Sequence, residues 1–295
     1  VGFLVACNDQ PDPNVETDTT GKAELLCDAS LFSFLTPTFA MFDSAYPQAS
    51  VRVKPASARE AMSQLFSGKT RGIIIAREYL PDEDSLMNVF KVPRHLSITI
   101  AQDALVFYTR PEFPLDTIAI EQLQQVFSEP AARLTAMFPT LKIEPTIICA
   151  DANSSEYGNV MRLLAKNKPP FHLSTRTTSD SVLLAVEKHD NAIGVGYLSQ
   201  LAGKANIKSI KLLKIGFTDS TGVRIRPTTV HQAYVVMGKY PFPVPLRVLL
   251  LEDRRNLPWG FGTFLRHDKS PKEYFLKSGI VPENARFNLV QEEDG

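Results

Sequence analysis

Asp151-Ala152-Asn153-Ser154-Ser155-Glu156-Tyr157-Gly158 lies between an apolar strand, Thr146-Ile147-Ile148-Cys149, and a helical run over residues 159–166. A strand that turns directly into a helix is the repeating step of an α/β fold. The two serines place hydroxyl donors beside the unpaired N–H groups of the first helical turn, where the helix dipole is positive, so the stretch can hold an oxyanion. A second reading fits the same residues. Asn153 followed three residues later by Glu156 is a capping box, in which the Glu156 carboxylate satisfies those N–H groups itself. The local pattern leaves both readings open.

Outward from this turn, strands and helices alternate from residue 23 onward, which predicts an α/β fold with largely parallel sheets. Residues 23–27 read as the first strand, and the helix that follows puts Leu35, Phe39, Phe42 and Tyr46 on one face. Pro37 is tolerated near a helix start, which places that N-terminus near Ser33 or Thr36. Residues 50–54 alternate as a second strand. Ser57 caps the next helix with Glu60 at the reciprocal position, and Gly68 ends it. Residues 72–76 form a buried strand that stops at Arg77, and the carboxyl end of such a strand is where α/β sheets place ligand contacts. Further strands are expected over 97–109, 192–198, 230–237 and 246–251. Helices are expected over 120–127, 181–188, 260–265 and 271–276, and no internal repeat is present.

Hydrophobic residues are 44% of the 295 and charged residues 22%, as in an ordinary folded chain with one large or two medium domains. Lys plus Arg and Asp plus Glu number 32 each, so no basic groove for nucleic acid is expected, although a single anion pocket needs only local donors. No apolar run approaches the ~20 residues needed to span a bilayer. Cys27 and Cys149 each close an apolar strand and read as small buried side chains. Neither the cysteines nor the histidines at 95, 172, 189, 231 and 267 show metal-ligand spacing, so neither metal nor cofactor is expected. Gly194-Val195-Gly196 and Gly260-Phe261-Gly262 lack the third glycine of a dinucleotide motif and read as close-packing positions. No nucleophile elbow exists. The chain is therefore not expected to be an enzyme.

Leu4-Val5-Ala6-Cys7 looks like the lipobox of a bacterial lipoprotein, with Cys7 as the lipid attachment site and Gly2 to Ala6 as the end of an apolar signal region. The polar stretch from Asn8 to Gly21 is the flexible tether such a protein needs, so residues 1–22 are expected to stand apart from the fold. This places the protein in the periplasm or on the cell surface, held to a membrane by the lipid alone.

The order of several pieces carries a resemblance. These are Asp28-Ala29-Ser30, Ala76-Arg77-Glu78-Tyr79-Leu80, Asp103-Ala104-Leu105-Val106, Ile118 to Phe127 and the serine turn. Asn191-Ala192-Ile193-Gly194-Val195-Gly196-Tyr197, Lys239-Tyr240-Pro241, Gly260-Phe261-Gly262-Thr263-Phe264 and Gly279-Ile280-Val281-Pro282 complete the set. Together they make the chain resemble the substrate-binding proteins of bacterial phosphate-type ABC transporters, which have the type 2 periplasmic binding protein fold. The resemblance implies an α/β fold of two lobes, with mixed sheets flanked by helices and a ligand cleft between. It assigns residues 23–104 plus 229–295 to lobe one and 105–228 to lobe two. It further implies a monomer that captures phosphate or a related oxyanion and serves an ABC permease. The anion contacts carried over are Ser30, the Leu31 backbone, Arg77, Ser154 and Ser155. Two positions depart from the family, which has a cation and a donor where this chain has Asp151 and Glu156. A carboxylate facing a phosphate at ~4 Å contributes about 4 kcal/mol of repulsion at an effective dielectric near 20. The alternative is a degenerate binding-protein fold that acts as an interaction or sensory module, its anion site blocked by Asp151 and Glu156.

Overall fold

Fourteen consecutive residues, Leu96–Thr109, form one strand that both halves of the fold share. The computed structural model describes residues 16–201 and 209–285. In chain order the elements are β1 (Gly21–Asp28), α1 (Ala29–Ala45), β2 (Ala49–Ala56), α2 (Ala58–Phe66), β3 (Gly72–Ile75), α3 (Pro81–Phe90) and the shared strand β4. There follow β5 (Thr117–Ala119), α4 (Ile120–Ser128), α5 (Leu134–Met137), β6 (Thr146–Cys149), α6 (Ser155–Leu164), β7 (Leu173–Thr175), α7 (Ser179–Lys188), β8 (Ala192–Tyr197) and α8 (Leu198–Leu201). The chain continues through β9 (Lys211–Leu212), β10 (Lys214–Thr218), β11 (Arg224–Thr228), α9 (Gln232–Val236), β12 (Pro243–Leu250), α10 (Leu257–His267), α11 (Lys269–Lys277) and β13 (Val281–Pro282).

The main sheet runs β2-β1-β3-β12-β4-β8-β6-β7, with β13 and β9 also pairing with β4, and a small sheet runs β11-β10-β5. The early part of β4 pairs antiparallel with β12, whereas Leu105 to Tyr108 pair with β8. On the far side of β12 the pairs β1–β2 and β1–β3 are parallel, and on the far side of β8 so are β6–β8 and β6–β7. Parallel pairs need helical crossovers that cover the sheet faces. Each half therefore becomes a lobe with its own flanking helices, and β4 is the continuous backbone between them. This is the two-lobed mixed α/β architecture that the sequence implied.

The face of α1 expected from its spacing is the one that packs. Leu35 and Phe42 are fully buried, and the Phe42 ring meets Phe261 and Phe264 of α10 edge-on at 5.1 and 5.3 Å. Its start differs from expectation. The helix begins at Ala29, capped by Asp28, and Pro37 lies inside it. A proline there removes the N–H that would bond the Ser33 carbonyl, but Ser33 is an exposed residue and Pro37 is exposed as well, so that carbonyl is not stranded in the core. Residues 230–237, expected as a strand, contain the short helix α9 instead. The His231 side chain accepts the Ala233 N–H and starts the turn.

The tether expected over residues 1–22 is docked from Glu16 onward, while Cys7 and the rest of that segment lie outside the described residues. Both Glu16 oxygens accept from the Arg71 guanidinium at 2.6 and 2.7 Å, and Gly21 already belongs to β1. The polar composition hid this, because the contact is a charge pair and not an apolar face. Cys27 and Cys149 are buried and free, as their strand ends suggested. The docked segment crosses Gly260 so closely that a Cβ there would sit 1.8 Å from the Asp18 carbonyl oxygen. Gly260→Ala is therefore expected to destabilise the protein by about 1–3 kcal/mol, as overpacking does. Urea unfolding checks it, and an unchanged midpoint would show that residues 16–20 do not hold this place.

Candidate functional site

The turn at residues 151–154 is closed by its own polar groups. The Asp151 carboxylate accepts the Asn153 N–H at 2.7 Å, and the Ser154 N–H donates to the Asp151 carbonyl at 2.8 Å. Ser154 is then the N-cap of α6, its hydroxyl accepting from the Tyr157 N–H at 3.1 Å. The capping box between Asn153 and Glu156 is not formed. With the cap one residue later than that pattern implied, Glu156 has no capping duty, and its side chain turns into the seam between the lobes.

There the Glu156 carboxylate is fully buried. One oxygen, Oε2, accepts from the Ser30 hydroxyl at 2.5 Å; the other, Oε1, accepts from the Ser179 hydroxyl at 2.8 Å and from Gln200 Nε2 at 2.7 Å. Each donor is fixed by local structure. Ser30 stands in the first turn of α1, where Asp28 caps the helix by accepting the Ser30 N–H. Ser179 opens α7, which Thr178 caps. Gln200 follows β8, and the Tyr197 N–H donates to its carbonyl oxygen at 2.9 Å, which turns the amide NH₂ toward Glu156. Gly196 makes room for it, since a Cβ there would lie 2.7 Å from Gln200 Oε1. The glycines at 194 and 196 thus serve close packing, Gly194 leaving space for the Tyr108 ring.

Asp28 adjoins this ring with 1% of its surface exposed. Burial, and next the charge of Glu156, push its carboxyl up to about 7. The Ser155 hydroxyl lies near enough to favour the Asp28 carboxylate, although Asp28 Oδ2 and Ser155 Oγ have no partner at full hydrogen-bond geometry. Asp103, which accepts the Ser199 N–H at 3.2 Å and so holds α8, is pushed up to about 6 by burial. In front of the ring a cavity of ≈ 780 Å³ opens between the lobes. Asp28, Asp151 and Asp180 are among its lining residues, and none of the described lining residues is Lys, Arg or His.

The residues singled out from the sequence do not all meet here. Ser30 and Glu156 touch, Ser154 caps α6, and Asp151 stands at the cavity. Ser155 lies behind, near Asp28. Leu31 is fully buried in the core. Arg77 is turned away. Its guanidinium is engaged by Glu83 through two bonds of 2.6 and 2.7 Å and is not among the groups that line the cavity. Glu83 accepts the Leu80 N–H as well, closing the start of α3, so Arg77 is matched within its own lobe. Asp28, Ser179 and Gln200 were not read as site residues. The run Thr177-Thr178-Ser179-Asp180-Ser181 did carry a helix-start signal that pointed to Ser179.

Comparison with known proteins agrees with this architecture. The family model of the PBP superfamily domain matches residues 13–269, and the chain belongs to that superfamily. A phosphate ABC transporter substrate-binding protein with bound phosphate from Clostridium perfringens superposes with a TM-score of 0.69 at 12% identity, covering 89% of this chain and 99% of its own. An ABC-type phosphate transport receptor from Vibrio cholerae gives 0.65 at 14% identity, covering 89% and 100%. The CcmR regulatory domain of Synechocystis PCC6803 in complex with 2-PG gives 0.55 at 13% identity, covering 83% and 96%. These likenesses concern the fold. No match was found among curated protein sequences.

Two expectations follow from the buried charges. Because the folded-state pKa of Asp28 lies above the ordinary 3.8, its contribution to stability is full below about 4 and is lost as pH rises through about 7. Asp28→Asn keeps a cap and removes the titration, so its stability relative to the parent should rise between pH 4 and 8 in denaturant unfolding. A difference independent of pH would assign the titration elsewhere. Arg77→Ala removes the two bonds that match the buried Glu83, leaving it the Leu80 N–H and Arg59 at 3.4 Å, and should cost about 3 kcal/mol of unfolding free energy.

Proposed function

We propose that this protein is an extracytoplasmic solute-binding protein that captures phosphate or a related oxyanion between its lobes and delivers it to an ABC permease. The observation that carries this reading is the ring itself. Donors from Ser30, Ser179 and Gln200 converge on one anionic group at the seam, two of them at helix starts where the dipole favours negative charge. Hydroxyl and amide donors held this way suit an oxyanion, and an oxyanion is what they hold, in the form of Glu156. The relatives whose descriptions name phosphate share the fold, which adds to the reading.

Residues 23–104 with 229–295 make the first lobe and 105–228 the second, and capture is a hinge movement about β4 with no covalent chemistry. The protein acts as a monomer, and lipid attached at Cys7 holds it at the membrane surface, in the periplasm or outside the cell. No helix among the described residues is long and apolar enough to cross a membrane, in keeping with attachment by lipid.

Isothermal calorimetry with phosphate tests the ligand. The parent is expected to show one site, and Ser179→Ala to weaken it about tenfold, the loss of one hydrogen bond to an anion. If neither the parent nor Glu156→Thr takes up phosphate or sulfate, the reading gives way to that of an interaction or sensory module with a filled site.

A further inference from the structure

Among the described residues no cation pairs with Glu156; a carboxylate buried in that way needs donors, and every donor it takes is lost to any other anion. The hydroxyls of Ser30 and Ser179 each have a single proton, and both are given to Glu156. Toward the cavity these two side chains can offer lone pairs alone. Gln200 divides its NH₂ group among Glu156, the Ser30 carbonyl and the Ser179 oxygen. With Glu156 in place, the three donors of the ring are turned onto it, and the cavity in front is lined by Asp28, Asp151 and Asp180 among others, with no Lys, Arg or His among the described lining residues. The ring is built from donors, and Glu156 takes them all.

The same carboxylate joins the lobes. Ser30 belongs to α1 of the first lobe, whereas Glu156, Ser179 and Gln200 belong to the second, so Glu156 spans the seam as a bound solute would. We infer that Glu156 is an internal ligand: its carboxylate occupies the oxyanion site, latches the lobes, and must be exchanged for the solute at each capture. The inference rests on the oxyanion reading of the ring and adds the residue that sets its affinity. A solute that takes over must present two acceptor oxygens, one toward Ser30 and one toward Ser179 and Gln200. It must also move Glu156 out through the turn at residues 151–154, which stands at the cavity.

Phosphate titrations of the parent, Glu156→Thr and Glu156→Gln at one fixed salt concentration test this, combined with small-angle scattering of each protein with and without phosphate. Glu156→Thr removes both the competitor and a repelling charge, and should bind phosphate at least 100-fold more tightly than the parent. It should also be more extended without phosphate and contract on adding it, while the parent keeps one radius of gyration. Glu156→Gln keeps the side-chain volume and should bind with intermediate affinity, and it decides the matter should the threonine variant not fold. Equal phosphate affinity in the parent and the variants overturns the inference. Opening of Glu156→Thr with no phosphate uptake by any of the proteins keeps the latch and removes the oxyanion function.

Discussion

The carboxylate of Glu156 is buried at the junction of the two lobes with no cation against it among the described residues, and the arrangement of the seam follows from that constraint. An ion taken out of water costs several kcal/mol even after relaxation. Hydrogen bonds to a charged group return about 1.5–3 kcal/mol each, so the donors from Ser30, Ser179 and Gln200 offset the cost without a large surplus. The contact fixes a geometry more than it stabilises a fold. It also bears on Asp28. Burial first, and then the charge of the neighbouring carboxylate, push the Asp28 carboxyl up to about 7.

Around this centre the lobes meet through neutral groups. Asn159 of α6 donates to the Ala76 carbonyl at 2.7 Å and to the Tyr197 hydroxyl at 2.9 Å, and Tyr197 reaches the same carbonyl at 3.2 Å. The Arg59 N–H, at the start of α2, donates to the Asn153 carbonyl at 3.1 Å. The Arg77 stem passes beneath α6 where a Cβ on Gly158 would lie 2.9 Å from its Cδ atom. Arg77 therefore supports the seam through packing, and its charge is spent on Glu83. The glycine that ends the serine turn is required by an arginine from the opposite lobe.

Much of the fold was legible because its signals are local. The shared strand was readable as a long apolar alternation, the α2 cap as Ser57 with Glu60, and the packed face of α1 as the helical spacing of Leu35 and Phe42. The differences have local causes too: Asp28 caps α1 well before Pro37, and the His231 side chain starts a helical turn where a strand was expected. The site was less legible for a different reason. Glu156 finds its donors 126, 23 and 44 residues away, and no periodicity records such pairings. Arg77 was misjudged from its position at a strand end, because the matching carboxylate of Glu83 comes from the next helix. The departure at Glu156 was visible, but its meaning depended on which way the side chain turned.

A tethered anion changes what lobe closure reports. A ligand shifts a conformational equilibrium only by its differential affinity for the two states. Where the closing contacts come from the solute, the closed form is populated when the solute is present. Here the chain supplies them through Glu156, and closure does not by itself signal occupancy. A free anion then competes with a carboxylate whose effective concentration at the ring is of order millimolar or higher. On the internal-ligand proposal its apparent affinity falls by about the ratio of that concentration to the ring's intrinsic dissociation constant for a carboxylate. On that proposal, the tighter the ring holds Glu156, the more abundant, or the richer in acceptor oxygens, a solute must be to replace it.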